Sequence, residues 1–535
     1  MPITLTYPGV YLEEIPSGVH TITGVATSIA AFFGQAKEGP VDKAVRILSF
    51  ADFQRTFGEP HPDSELATSV RLFFQNGGTD CYVVRLVEAG SGQKANVVLK
   101  NEGLTDVLKF EAKEIGTWGN EIALEVDYNT ANPEDTYHLR IYRFGSDGAL
   151  KASEEFLNCS ADPDSPRFAP SLVTNDSKLV TCTHEFASDA AYKAAAAAAG
   201  YSESRRPLAD SDALAAILAA ASNTSRFKIS VDGSSFYDID LVDAYTAGTT
   251  EANAKIKLKD KLNEGLPPSL TNTVVAEFNT GPGANKVLSF KSATSAKKSI
   301  VIRPASDKDV TAVLALGQDQ GGVEVNRYAN LRPACTGIFF DLTKLNVLAD
   351  HQQKHFSSME LDGNPAINLG TSLRTTKADG TDKWYLGKTA TGKNFDGVRE
   401  KFALMAAAIN DESIGWKAVV AGSRLLIKKN SGANHLTGTF TTSTPNDISS
   451  YFKTNVRHYS LGSGAGTYES SSLPGIEGNP PKVASYTGNV LKHTGFYALD
   501  TIDLFNLMII PKDVNLSEDD YRSLWGPASI YCEDH

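Results

Sequence analysis

Two imidazoles four residues apart, in the run His351-Gln352-Gln353-Lys354-His355, would share one face of a helix, which is how paired histidines grip a metal ion. Gln352, however, stands where a metal-assisted hydrolase keeps its glutamate base, and no third ligand lies near, so a solvated helix face accounts for the spacing. Cys182-Thr183-His184 and the terminal Cys532-Glu533-Asp534-His535 each bring two ligand types together without a second pair. A buried thiol and a frayed chain end explain them more simply. Gly462, Gly464 and Gly466 spell G-x-G-x-G, but they follow no clear strand and lack the Lys-Ser/Thr of a phosphate loop, which makes them linker glycines. The sequence contains no G-x-S-x-G. Asp500 and Asp503 flank an apolar run without any sign that either carboxylate is poised for proton transfer. No constellation supports an enzyme, a cofactor or a metal.

The elements that would carry such groups are those of a large, ordinary soluble chain. At 535 residues the length calls for several domains. With 51 basic and 63 acidic residues the formal charge is -12, which disfavours direct nucleic-acid binding. No apolar run is long enough to cross a bilayer, and the opening MPITLTYPGV has neither a basic nor an apolar leader region, so no membrane insertion is expected and synthesis in the cytoplasm is. Five scattered cysteines, Cys81, Cys159, Cys182, Cys335 and Cys532, suit reduced thiols.

The stretch Gly495 to Pro511 ends in Leu507 to Ile510, an apolar run that reads as a strand buried on both faces. Ile29 to Gly34 and Cys81 to Val87 have the same short, glycine-bounded character and are its expected neighbours. Between those two, Ser49 caps a helix bearing Phe50, Phe53 and Phe57, and a second helix from Ser64 carries Leu66, Ala67, Val70 and Phe74 before Asn76-Gly77-Gly78 stops it. Strand, helix, helix, strand implies an α/β layer. Ala190 to Ala199 and Ala213 to Ala221 favour helix.

Residues 227–316 and 356–444 share a plan. Each runs from a short strand into Asp-Gly (Asp232-Gly233, Asp362-Gly363), through a helical stretch (251–264, 398–410), and back through strands (Val287 to Phe290, Leu425 to Ile427). Either the segment is duplicated or two unrelated β-rich modules use the same turn residues. Gly462 to Pro481 reads as a linker, Ser517 to Trp525 as a capped helix, and Ala528 to Cys532 as a strand.

The segments YPGVYLEEI (7–15), SIAAFFGQAKEGP (28–40), FADFQRTFGEP (50–60) and LFFQNGGTDCYVVRL (72–86) resemble the N-terminal signature of tail sheath proteins of contractile phage tails and related injection systems. Residues 115–126, 154–180 and 494–511 continue the resemblance in the same order, and its specificity lies in the series. It implies a multidomain α+β or α/β fold. An extended arm spans residues 1–22, and the first part of the core 23–183, including a small α+β subdomain from about 93 to 183. Outer domains occupy 184–480, and the chain returns to the core over 481–535. It also implies that the family's C-terminal portion is missing here.

By the resemblance, the protein is a structural subunit that polymerises helically around a tail tube and contracts to drive it through a cell envelope. Its partners are neighbouring sheath subunits, the tail tube protein, and baseplate and tail terminator proteins, and its location is the tail of the particle. The arm residues Thr4, Leu5, Tyr7, Pro8, Gly9, Val10, Tyr11, Leu12, Glu13 and Glu14 would form a strand donated to the sheet edge of an adjoining copy, satisfying backbone groups that have no sheet of their own. A chain without the family's C-terminal arm is expected to stay monomeric or assemble poorly. Two other readings are an α/β nucleotide-binding protein or enzyme with an inserted β domain, and a receptor-binding surface protein. The first predicts a crevice at the carboxyl ends of the core strands.

Overall fold

A computed structural model describes residues 29–196, 200–280, 285–293, 298–320, 322–341, 358–361, 367–368, 396–412, 415–422, 424–429, 440–442, 451–464 and 466–534. The chain divides into two units. One joins the described residues up to Ala89 with those from Pro480 onward, and the other spans Gly90–Asn479.

The first unit begins with β1 (Ala30–Gly34), buried along its whole length, and β2 (Val45–Ile47). Next comes α1 (Phe50–Phe57), whose first-turn amide at Asp52 donates to the Ser49 hydroxyl, the cap expected from sequence. Helix α2 (Leu66–Gln75) and β3 (Cys81–Arg85) complete the expected strand-helix-helix-strand series.

The second unit opens with β4 (Asn96–Lys100), β5 (Asp106–Ala112), β6 (Ile122–Asp127), β7 (Tyr137–Phe144), β8 (Leu150–Cys159), α3 (Ala169–Asp176) and β9 (Val180–His184). Helix α4 (Asp189–Ala195) leads into a module of β10 (Tyr201–Glu203), α5 (Ser211–Leu218), β11 (Arg226–Val231), β12 (Tyr237–Asp240), α6 (Glu251–Gly265), β13 (Val274–Thr280), β14 (Lys286–Ser292), β15 (Ile300–Pro304), α7 (Thr311–Leu314) and β16 (Val323–Val325). A second module holds β17 (Ile338–Phe340), β18 (Ser358–Leu361), β19 (Ile367–Asn368), α8 (Asp396–Asp411), β20 (Trp416–Ala421), β21 (Arg424–Lys429), β22 (Phe440–Thr442) and β23 (Phe452–Thr454). Strands β24 (Tyr459–Ser460) and β25 (Glu469–Leu473) close the unit.

The two modules have one topology. The first forms sheets ordered β13-β14-β10-β16 and β12-β11-β15, and the second forms β20-β21-β17-β23 and β19-β18-β22. Taken in chain order these are the same positions, every neighbouring pair is antiparallel in both, and a helix separates the third strand from the fourth in both. The shared plan is wider than its sequence signal, because β10 and β17 lie ahead of the similar stretches, and β16 and β23 behind them. In α6 the residues Ala254, Leu258 and Leu262 recur every four positions and are fully buried, which seats the helix in the core of its module. The Asp232-Gly233 turn has positive φ at both residues, as a tight hairpin requires, and Asp362-Gly363 lies outside the described residues.

The residues β4 to β9 build two further sheets, ordered β25-β4-β5-β9 and β24-β6-β7-β8. Here one expectation is corrected. The segment Gly462 to Pro481, read as a linker, contributes β25, which pairs antiparallel with β4, because alternating backbone groups can pair whatever the composition of their side chains.

The chain then returns to the first unit through α9 (Val483–Thr487), β26 (Leu507–Ile509), α10 (Glu518–Ser523) and α11 (Trp525–Asp534). Strand β26 runs parallel to β1, Ala30 facing Leu507 and Phe32 facing Ile509, and the sheet order is β2-β3-β1-β26. Side chains alternate across this sheet. Ala30, Phe32 and Val83 meet Phe53, Phe57, Leu66 and Val70 of α1 and α2, while Ala31, Phe33 and Val84 meet Tyr486, Phe496, Leu499 and Tyr531. Of the two neighbours named from sequence, β1 pairs with β26, whereas β3 pairs with the far side of β1, and Leu507 to Ile510 is not buried on both faces. As the outer strand it leaves Leu507 exposed and Met508 and Ile509 half-buried.

A second correction concerns Ala528 to Cys532, which lies within α11 and not in a strand. Ser517 caps the preceding turn as expected, Pro527 is tolerated in the first turn of α11, and Tyr531 is drawn inward against Phe496, Tyr497 and Phe505.

Candidate interaction surface

The arm residues Thr4 to Glu14 lie outside the described residues, as do His351 and His355. What the structure does give is the surface of the unit into which the arm runs. Ile29 follows it, its amide donating to the Asn506 side chain, so the chain enters β1 directly beside β26. Strand β26 has no partner on its outer side among the described residues. Under it, Phe32, Ser69, Leu72, Phe73 and Ile509 line an open groove of about 480 Å³. Leu72, Leu504, Leu507, Val514, Trp525 and Ile530 are all exposed on this unit, and together with Leu48, Val490 and Leu491 they make up most of the exposed large apolar side chains among the described residues.

At the carboxyl ends of β1 and β26, where a nucleotide-binding α/β protein would open a crevice, a polar knot is buried instead. Asp513 and Tyr486 are fully buried, and the Tyr486 hydroxyl donates to the Asp513 carboxylate. Ser64 and Asp513 form an antiparallel bridge, flanked by hydrogen bonds from Glu65 N to Lys512 O and from Val514 N to Asp63 O. Burial raises the Asp513 pKa, and hydrogen bonds from Ser64 and Tyr486 oppose the rise. Gly34 sits against this knot, where an added Cβ would lie 3.2 Å from the Leu66 Cβ.

The other residues singled out for chemistry are engaged in structure. His184 Nε2 lies 2.9 Å from Asp189 Oδ1, and the ring stacks on Tyr192, while Cys182, two residues earlier on the same face of β9, is buried in the core. Cys81, Cys159, Cys182 and Cys335 are buried free thiols, and Cys532 is an exposed one. Burial pushes the Cys81 and Cys159 thiols up to about 12, which keeps them protonated. The amides of Gly464 and Gly466 are taken by Ser472 and Glu469, so they do not present a cradle. Asp500 accepts from the Tyr531 hydroxyl and meets His493, and Asp503 is exposed. Among the described residues no three side chains are grouped to hold a metal ion, and no helix is long and apolar enough to cross a membrane.

In the second unit, charged side chains tie sheets together. Lys428 of β21 reaches Glu125 and Asp127 of β6 at 2.8 and 2.9 Å, and Arg140 bridges Asp127 and Glu155. Burial alone would raise Asp127, but Lys428, the Asn129 amide and Arg140 outweigh it and hold the carboxyl at about 2. Tyr128 is fully buried between the guanidinium groups of Arg332 and Arg424, with its hydroxyl donating to Pro333 O. Asp135, Arg303, Glu324 and Asn326 line a cavity of about 350 Å³.

Two features of the first unit had no signal in hydrophobic periodicity. One is the exposure of β26, since apolar composition does not tell an edge strand from a central one. The other is the loop Gly488–Gly495, whose paired glycines around an apolar dipeptide are the only local sign of a tight turn.

No family model and no curated protein matches the chain. Among solved structures, it is similar to the sheath tail protein Lin1278 of Listeria innocua, at 18% identity over 29% of this chain and 30% of that chain, with a TM-score of 0.20. It is also similar to the sheath tail protein DSY3957 of Desulfitobacterium hafniense, at 16% identity over 34% of this chain and 35% of that chain, again with a TM-score of 0.20. The matched regions span about a third of either relative.

Proposed function

We propose that this chain is a structural subunit of a contractile tail sheath. The observation that carries the reading is the apolar exposure gathered on the unit built from both ends of the chain, including an open sheet edge beside the point where the arm enters. The series of sequence segments resembling sheath proteins supplies the identity of the partners: further copies of the subunit, an inner tube, and the proteins at the two tail ends. In this reading, the arm residues Thr4 to Glu14 add a strand to a neighbouring copy, and the modules of the second unit lie outermost. Contraction is a rigid-body rearrangement of subunits that remain linked by their arms. It is driven by better intersubunit contacts in the contracted state and requires no nucleotide hydrolysis.

The test is sedimentation velocity of the full chain at rising concentration, with negative-stain electron microscopy of the heaviest fraction. Weak, concentration-dependent association into short oligomers or arcs, short of long tubes, is expected. A chain that stays monomeric and is specifically stabilised by a nucleotide in thermal melting overturns the reading.

A further inference from the structure

Between Gly488 and Gly495 the chain makes a protrusion that is stiff and carries apolar side chains outward. Its base is closed by an antiparallel bridge of Asn489 with Thr494, in which Thr494 N donates to Asn489 O and Asn489 N donates to the Thr494 hydroxyl. Inside the loop, Lys492 N donates to the Asn489 side chain and His493 N to Val490 O. Gly488, His493 and Gly495 all have positive φ. A Cβ on Gly488 would lie 1.8 Å from Thr494 O and one on Gly495 2.4 Å from Tyr486 O, so the backbone is locked in a shape that side chains would exclude. The base is pinned to the body by Gly495 N donating to Asp42 and by His493 meeting Asp500.

On this rigid frame Val490 is 52% and Leu491 88% exposed, and Lys492 and His493 are exposed beside them. A hydrogen-bonded frame that holds two apolar side chains in water gains nothing for its own fold, whereas a pre-ordered anchor loses little entropy when it docks.

The same unit offers a complementary surface. Helix α10 exposes Glu518, which pairs with Lys512, and Asp519 and Asp520, and Trp525 at the start of α11 is 61% exposed and packs edge-on against Tyr521 of α10. Asp519 is 97% exposed, and its ion pair with Arg522 is long at 4.0 Å. A basic, apolar knob on a chain of formal charge -12 finds charge complementarity on this acidic, aromatic face.

We propose that the Asn489–Thr494 loop is a docking knob that seats Val490 and Leu491 against the Asp519–Trp525 face of a second copy of this chain, with Lys492 meeting Asp519. The inference rests on the sheath reading, which supplies the second copy. The knob and its acceptor are different patches, so unless two copies dock reciprocally the contact is head-to-tail and propagates into a ring or helix.

Sedimentation velocity of the full chain tests this with Leu491→Asp, Lys492→Glu, and Lys492→Glu combined with Asp519→Lys, each checked by thermal melting for an unchanged fold. Leu491→Asp is expected to weaken self-association at least about tenfold. Lys492→Glu should also weaken it, and adding Asp519→Lys should restore it. If wild type associates and both single variants associate equally well, the knob is overturned while the sheath reading stands. If Lys492→Glu weakens association and Asp519→Lys fails to rescue it, the acceptor assignment is overturned. A wild-type chain that never associates overturns the knob and leaves the sheath reading to the nucleotide-binding test.

Discussion

Asp127 and Asp135 lie close together in sequence, and burial raises both carboxyls, but their partners carry them in opposite directions. Lys428 and Arg140 hold Asp127 ionised to about pH 2, so its contribution to stability is present above the ordinary carboxylate pKa and is lost as the pH falls through about 2. Asp135 accepts a hydrogen bond from Asn326 N, and burial lifts it to about 6 against the pull of Arg332, with Asp162 and Glu324 adding repulsion. Its folded pKa is above the unfolded value of 3.8, so the neutral form is favoured in the fold. The associated stability is fully present below pH 3.8 and is lost as the pH rises through about 6. Asp135→Asn, which is neutral at every pH, is therefore expected to stabilise the chain by about 1–3 kcal/mol at pH 7.5 and to leave its melting unchanged near pH 3.5. Melting curves at the two pH values check this, and a variant less stable than wild type at pH 7.5 would refute it.

At the level of elements, each helix is held by a narrow stripe. In α6, Leu258 is fully buried in the core of the first module, whereas Ile256, two residues earlier, is 56% exposed. Leu258→Ala is expected to cost about 2–5 kcal/mol in urea unfolding, and Ile256→Ala less than about 0.5 kcal/mol. Equal losses would mean that the helix is not seated as described. The same contrast explains what was legible in the sequence. Helices α1 and α2 were readable because Ser49 and Asn76-Gly77-Gly78 mark their ends and the phenylalanines repeat at helical spacing, all of which are local signals. Pairing between β1 and β26 was also readable, since both are short apolar runs bounded by glycine or proline. How many neighbours β26 has was not, because this depends on the whole sheet and not on the strand. Ala528 to Cys532 looked like a strand because Ile530 and Tyr531 favour one, but burial of Tyr531 against Phe496, Tyr497 and Phe505 outweighs that local preference. The surface loop at Gly488–Gly495 was silent because hydrogen-bonded turns leave little periodicity to detect.

For the whole molecule, the main fact is that one sheet is written at both ends of the chain, with Ala30 paired to Leu507 across the inserted unit. Loop-closure entropy grows only with the logarithm of length, and a folded insertion brings its own ends together, so the two modules can be accommodated without unmaking that sheet. Strands β1 and β3 are packed on both faces by residues from 29 onward, so the core of this unit is built without residues 1–22. If those first residues serve a neighbouring copy, their deletion should leave the far-ultraviolet circular dichroism and melting temperature of the chain unchanged while weakening its concentration-dependent association. A large fall in melting temperature would instead mean that the segment folds back on its own molecule. Unchanged association of the shortened chain would mean that the arm links nothing, and either result would remove strand donation as the connection between subunits.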